Sequence, residues 1–234
     1  MGEGNWRICV VRPRTFAKDQ GMNFLPETSV LLTYSVACFV LFMTPGPDMS
    51  LFLARTVAGG RRAGLASMLG ASVGCLVHTV LAAVGLSALI AASPTAFTVM
   101  KFIGAAYLAW LAFDALRNGS ALNIRAEAAE PPAFWRTFWL GVAVNLANPK
   151  VILFFVTFLP QFVSATDPHA PSKLAFLGVY FVAFSIPLCV LLILGAERVI
   201  ANAKQHPSLM RAIDYVFAGV FGAFAVKILL TESK

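Results

Sequence analysis

At 234 residues, with 59% hydrophobic and only 12% charged side chains and a mean hydropathy of +0.77, the chain falls outside the composition of soluble domains. Its net charge of +7 comes from Lys and Arg scattered singly between apolar runs, without the basic face that nucleic-acid binding requires, which leaves membrane topology as the reading of that charge. Cys9, Cys38, Cys75 and Cys189 show no metal-ligand spacing, which argues against a metal site and against a disulfide framework.

Residues 1–21 carry Arg7, Arg12, Arg14 and Lys18 and no apolar run, so they read as neither signal peptide nor span. A disordered tail, or a natural start at Met22, are the two readings of them. Residues 29–43 are apolar but, at about 1.5 Å per residue, reach only about 22 Å of a hydrocarbon core about 30 Å thick. They cross only if the following "TPGPD" lies inside the span and "MSLFLA" completes it. Residues 65–92, 97–116, 138–159, 174–194 and 209–230 are each long and apolar enough to cross unaided. The expectation is therefore an all-α integral membrane protein with six transmembrane helices. Residues 117–133, which contain "EPP", read as a linker between halves of three helices each, about 28–116 and 134–231, within a transporter domain over 22–234.

Arg55, Arg61 and Arg62 follow the first segment, Arg117, Arg125 and Arg136 the third, and Arg198, Lys204 and Arg211 the fifth. The connections after the second and fourth hold little beyond Lys101 and Lys173, so the positive-inside rule places the first set in the cytoplasm. Six full spans then put both termini outside. The basic tail conflicts with that arrangement, which either a start at Met22 or a first segment that enters without crossing resolves. Trp110, Trp135 and Trp139 fall near segment ends, as interfacial anchors do.

Each half opens on a proline-interrupted segment, "FMTPGPDMSLF" and "NLANPKVILFF", and closes on a small-residue segment around a glycine. Successive units of three segments must enter the membrane in opposite senses, the inverted-repeat plan of many secondary transporters, here with broken first and fourth helices. Proline removes a donor and blocks the carbonyl one turn earlier, and glycine loosens the ladder. Thr44, Pro45, Gly46, Pro47 and Asp48 should thus break the first helix, and Pro149 the fourth, freeing carbonyls near Asn145 and Asn148. Unpaired backbone at membrane depth is tolerated only where protein or a water-filled cavity meets it, so paired breaks mark a substrate site.

Such a site suits a zwitterion, with half-helix N-termini toward a carboxylate and freed carbonyls and an acid toward an ammonium group. Asp48 either binds that ammonium or carries a proton, and Lys150 either binds the carboxylate or neutralises Asp48. A salt bridge between the two that only locks the broken helices is the structural alternative. His78 is a proton relay or a histidine bonded to a neighbouring helix. Asn145 belongs to the site or merely caps freed backbone. Gly70 and Gly74, with Ala66, read as close helix packing, and Asp114 and Asp214, near segment ends, as surface groups. There is no nucleophile with a paired base and no zinc-enzyme signature, so an enzyme is disfavoured. A lipid-handling or other small-solute membrane protein remains the alternative to a transporter.

From about Met22 onward the chain resembles the LysE/RhtB family of amino-acid exporters. "TPGPDMSLFLARTVAGGRRAGLASMLGASVGCLVHTVLAAVGL", "KFIGAAYLAWLAFDALR" and "NLANPKVILFFVTFLPQF" carry the resemblance. Pro45, Gly46, Pro47 and Asp48 match its first signature, and Asn148, Pro149 and Lys150 its second. The resemblance implies a multi-pass efflux carrier of the bacterial inner membrane that uses no cofactor, works by proton antiport, assembles as a homodimer and binds no nucleic acid. The aspartate after the first signature is similar to the branch associated with neutral amino acids such as threonine and homoserine.

Overall fold

The computed structural model describes residues 25–118, 133–164 and 167–231. Among these its regular elements are all helical: α1 (Thr28–Met43), α2 (Pro47–Leu81), α3 (Ser87–Ala92), α4 (Pro94–Asn118), α5 (Phe134–Leu146), α6 (Pro149–Leu153), α7 (Ala170–Leu194), α8 (Ala196–Gln205) and α9 (Pro207–Thr231). A π-helical turn (Ala82–Leu86) joins α2 to α3, and another (Phe154–Phe158), then a 3-10 turn (Leu159–Phe162), continue α6. The tail over 1–21 lies outside the described residues, as does the linker except for Arg117, Asn118 and Ala133.

Among the described residues, four stretches are long and apolar enough to cross a membrane: Pro47–Leu86, Thr98–Arg117, Ala170–Leu194 and Ser208–Val226. A fifth is added if Phe134–Leu146 and Pro149–Phe162, bent by 53°, count as one. α1 falls short by itself. Leu32, Val84, Ile103, Trp135, Leu191 and Leu230 are each 65–66% exposed, a surface suited to lipid. The chain is a multi-pass membrane protein.

The 40 residues of Pro47–Leu86 would extend about 60 Å as one helix, twice the hydrocarbon core. Gly60 interrupts them, with φ 74° and ψ 178°, a backbone state essentially reserved for glycine. It separates a short helix over 47–59 from a longer one over 61–81. Hydropathy alone does not reveal α8, because its polar residues lie outside every apolar run. Its signal is the helical spacing of Ala196, Val199 and Ile200, which pack against Phe52, Leu53 and Ile193 in one apolar cluster. Asp214 corrects the surface reading: α9 packs along α4, and this side chain is only 2% exposed.

Residues 61–81 of α2 and α5 run in the same direction at backbone contact. A Cβ at Gly70 would collide with the Phe138 carbonyl, and one at Gly141 with the Ser67 carbonyl. The glycine stripe is close helix packing, with Ala66 fully buried beside it. A second, larger apolar cluster gathers Tyr34, Phe154, Phe155, Phe158, Phe181 and Phe221 from α1, the π turn, α7 and α9. Tyr34 Oη donates to the Leu177 carbonyl (3.1 Å) and Ser35 Oγ pairs with Tyr180 Oη (2.7 Å), tying α1 to α7.

Among the described residues, basic side chains of these connections gather at one end of the bundle. Gly60 and Arg61 line one recess together with Gly195, Glu197 and Arg198. Arg211, at the start of α9, donates to the Leu116 carbonyl at the end of α4 (3.2 Å). The Lys173–Asp167 ion pair sits at the opposite end of α7.

Candidate functional site

The helix breaks fall where proline dictates. α1 ends at Met43 and α2 restarts with Pro47 at its first position, where a missing N–H costs nothing. α5 ends at Leu146 and α6 restarts at Pro149, with Asn148 as N-cap accepting from the Lys150 amide (3.0 Å). Pro45 is buried between α1 and α2, and Pro47 and Pro149 are exposed on the first turns they open. Thr44 is buried and turns inward on its own helix, donating from both Oγ1 (2.9 Å) and its amide (3.1 Å) to the Val40 carbonyl.

Each break supplies the partner of the other. The Lys150 ammonium donates to the carbonyls of Leu41 (3.1 Å) and Thr44 (2.8 Å), which the first break has freed. In return Asn145, in the last turn of α5, donates through Nδ2 to Asp48 Oδ2 (2.8 Å) in the first turn of α2. No ion pair joins Lys150 to Asp48 among the described residues; the lysine is held by backbone. Gly46 admits it, since a Cβ there would lie 3.2 Å from Nζ. Gly74 admits Asn145 in the same way, a Cβ there falling 2.5 Å from its Oδ1. Cys75 completes the shelf, its Sγ 3.5 Å from Asn145 Nδ2.

These groups open on a small cavity of about 80 Å³. It lies on the seam between the two apolar clusters, with Leu41, Val151, Phe181 and Val182 from one and Phe52, Met68, Cys189 and Leu192 from the other. Asp48, Asn145 and Lys150 reach it as polar groups. Asp48 Oδ1 is buried without a well-formed hydrogen bond, and the Asn148 side chain, its Nδ2 likewise unmatched, lies beside Asp48; His78 Nε2 is also buried and unmatched. A buried acceptor left unsatisfied costs about 1–3 kcal/mol, which a ligand donor would offset. His78 stands apart from the cavity lining. It is 7% exposed and stacks on Phe155 with centroids 5.6 Å apart.

Sequence reasoning missed the Leu41 carbonyl, Cys75 and Ser185. Cys75 and Ser185 are small residues in apolar runs with no motif to mark them. The blocked carbonyl one turn before a helix-breaking proline, Leu41 before Pro45, was the signal available for the first.

A bundle of apolar helices with two joined breaks beside a mostly apolar pocket, into which Asp48, Asn145 and Lys150 project, suits a membrane transport protein. The sequence profile of the LysE type translocators matches residues 39–232, and the chain belongs to that family. Similar proteins include an uncharacterized membrane protein of Vibrio cholerae, 31% identical over 200 residues covering 83% of this chain and 94% of that one. A homoserine/homoserine lactone efflux protein of Salmonella typhimurium is 31% identical over 188 residues, 80% of this chain and 90% of its own. An uncharacterized membrane protein of Bacillus subtilis is 34% identical over 142 residues, 57% of this chain and 68% of its own. No solved structure matches the chain.

Proposed function

We propose that the chain is a secondary-active exporter of amino acids in the bacterial inner membrane, favouring neutral substrates of the threonine or homoserine type and driven by proton antiport. The observation that carries this reading is the reciprocal joining of two broken helices beside a pocket in which Asp48 Oδ1 is left without a well-formed hydrogen bond. The efflux protein of Salmonella typhimurium, named for homoserine and its lactone, supports the substrate class.

In this reading six spans form two inverted repeats, about 28–116 and 134–231, separated by the linker 117–133. The first span is α1 plus residues 47–59, broken at Thr44 to Gly46, and the fourth is α5 plus α6, broken at Ala147 and Asn148. Asp48 lies twelve residues before the Gly60 turn, about 18 Å along the helix and thus near the middle of a core about 30 Å thick. An ionised carboxylate persists at that depth only with partners.

The substrate ammonium binds Asp48 Oδ1, while Asn145 holds Oδ2 and fixes the carboxylate. Lys150 has two ammonium hydrogens on carbonyls and one remaining for the substrate carboxylate, beside the α6 N-terminus. A proton entering from outside neutralises Asp48 and releases the ammonium outward; its departure to the cytoplasm restores the site. His78, four residues after the glycine that seats Asn145 and so on the same helix face, relays that proton. Thr44, Pro45, Gly46, Pro47, Asn148 and Pro149 shape the two breaks. The partners are an amino acid, protons and the lipid bilayer, with a homodimer as the assembly that the family resemblance implies.

The test is the amino-acid content of the medium around dipeptide-fed cells, with and without the protein and with Asp48→Asn. Selective appearance of one or a few neutral amino acids, abolished by the substitution at normal membrane levels, is expected. Wild-type export by Asp48→Asn with unchanged pH dependence would remove the coupling role. No difference for any amino acid would remove the export reading.

A further inference from the structure

Ser185, in α7, lines the same cavity, and its Oγ is shielded from solvent without a hydrogen-bond partner. That distinguishes it from the other hydroxyls on packed helix faces. Thr44, Thr56, Ser72, Thr79 and Thr157 each donate to the carbonyl four residues earlier, at 2.6–3.0 Å. A helical serine ordinarily has that carbonyl in reach, so a buried hydroxyl that leaves it unused holds its hydrogen-bonding capacity open.

The wall around it is apolar: Phe181, Val182, Ile186 and Cys189 come from the same helix. Asp48, Asn145 and Lys150 reach the cavity from α2, α5 and α6, across from α7. If those groups take the ammonium and carboxylate common to every amino acid, the hydroxyl on α7 is the polar group left for whatever distinguishes one side chain from another. A site with a buried hydrogen-bonding group disfavours an analogue that leaves it unpaired.

We propose that Ser185 is a specificity-determining residue that hydrogen-bonds a hydroxyl on the substrate side chain, so that the pocket selects hydroxylated neutral amino acids over apolar ones of the same shape. The inference rests on the exporter reading and deepens it. Threonine and valine are the diagnostic pair, equal in shape and differing by hydroxyl against methyl.

The full-length chain is reconstituted into phosphatidylethanolamine and phosphatidylglycerol vesicles loaded with equimolar L-threonine and L-valine, and the exit of both is measured from the same vesicles. The wild type is expected to favour threonine. Ser185→Ala should lower the threonine-to-valine ratio about five- to tenfold, the worth of one neutral hydrogen bond, while Ser185→Thr, which keeps a hydroxyl, should retain most of the preference. Because the ratio is internal to each preparation, a smaller folded fraction does not alter it. An unchanged ratio in Ser185→Ala, or a wild type without preference, overturns the role of Ser185 and leaves the exporter standing. Exit of neither amino acid also overturns it, and the medium measurement then decides separately whether other amino acids are exported.

Discussion

Lys150 shows how a half-buried charge can be held without an opposite charge. Its ammonium lies against two carbonyls that lost their helical donors to the first break, 109 and 106 residues earlier in the chain. Replacing it with Met keeps the stem but leaves both carbonyls unpaired, at a cost of about 2–4 kcal/mol. Thermal unfolding in detergent should show Lys150→Met clearly less stable than Asp48→Asn, since Asp48 accepts one well-formed hydrogen bond, at Oδ2, which an asparagine oxygen can still accept. Equal stabilities would mean that the lysine does not hold the breaks together. The break itself was legible, because two prolines and a glycine in an apolar run permit little else. That Lys150 would seek backbone and not Asp48 was not legible: sequence names the charges and is silent on distances.

At the scale of elements, the turn at Gly60 converts an over-long helix into two pieces of usable length. Gly60 and Gly85 form a controlled pair, since neither would meet an atom within 4 Å if a Cβ were added, yet only Gly60 has a positive φ. Gly60→Ala should therefore destabilise the protein by about 1–3 kcal/mol through backbone strain alone, whereas Gly85→Ala should change it by less than about 0.5 kcal/mol. Denaturation of the two variants side by side checks this, and equal effects would show that the turn is not strained by a side chain. The basic residues around Gly60 marked a connection in the sequence. Its sharpness did not follow from them, because "GG" followed by two arginines is compatible with a loop of any length.

For the molecule as a whole, the recess shared by Arg61 and Arg198 places the α2 turn and the start of α8 at one end, with Asp167 and Lys173 at the other. In a variant freed of its native cysteines, Arg61→Cys and Asn202→Cys should react with a membrane-impermeant thiol reagent from the same side, and Ser172→Cys from the opposite side. Inside-out and right-side-out vesicles supply the two exposures. Labelling of all three from one side would refute this topology, and reaction of Arg61→Cys from outside would reverse the positive-inside orientation.

Sequence by itself determined the solvent, the helical class and the two places where helices must break, because hydropathy, length and proline geometry act locally. The family signatures and the candidate residues Asp48, Asn145, Asn148 and Lys150 were visible for the same reason. Tertiary structure alone decided which carbonyl faces which ammonium, that Asn145 and not Lys150 holds Asp48, that Asp214 is buried, and that Ser185 completes the pocket wall. Those outcomes depend on helices meeting at backbone contact through Gly70, Gly74 and Gly141. Contacts between residues about a hundred positions apart are set by how whole helix faces fit together, and a linear pattern carries only the faces.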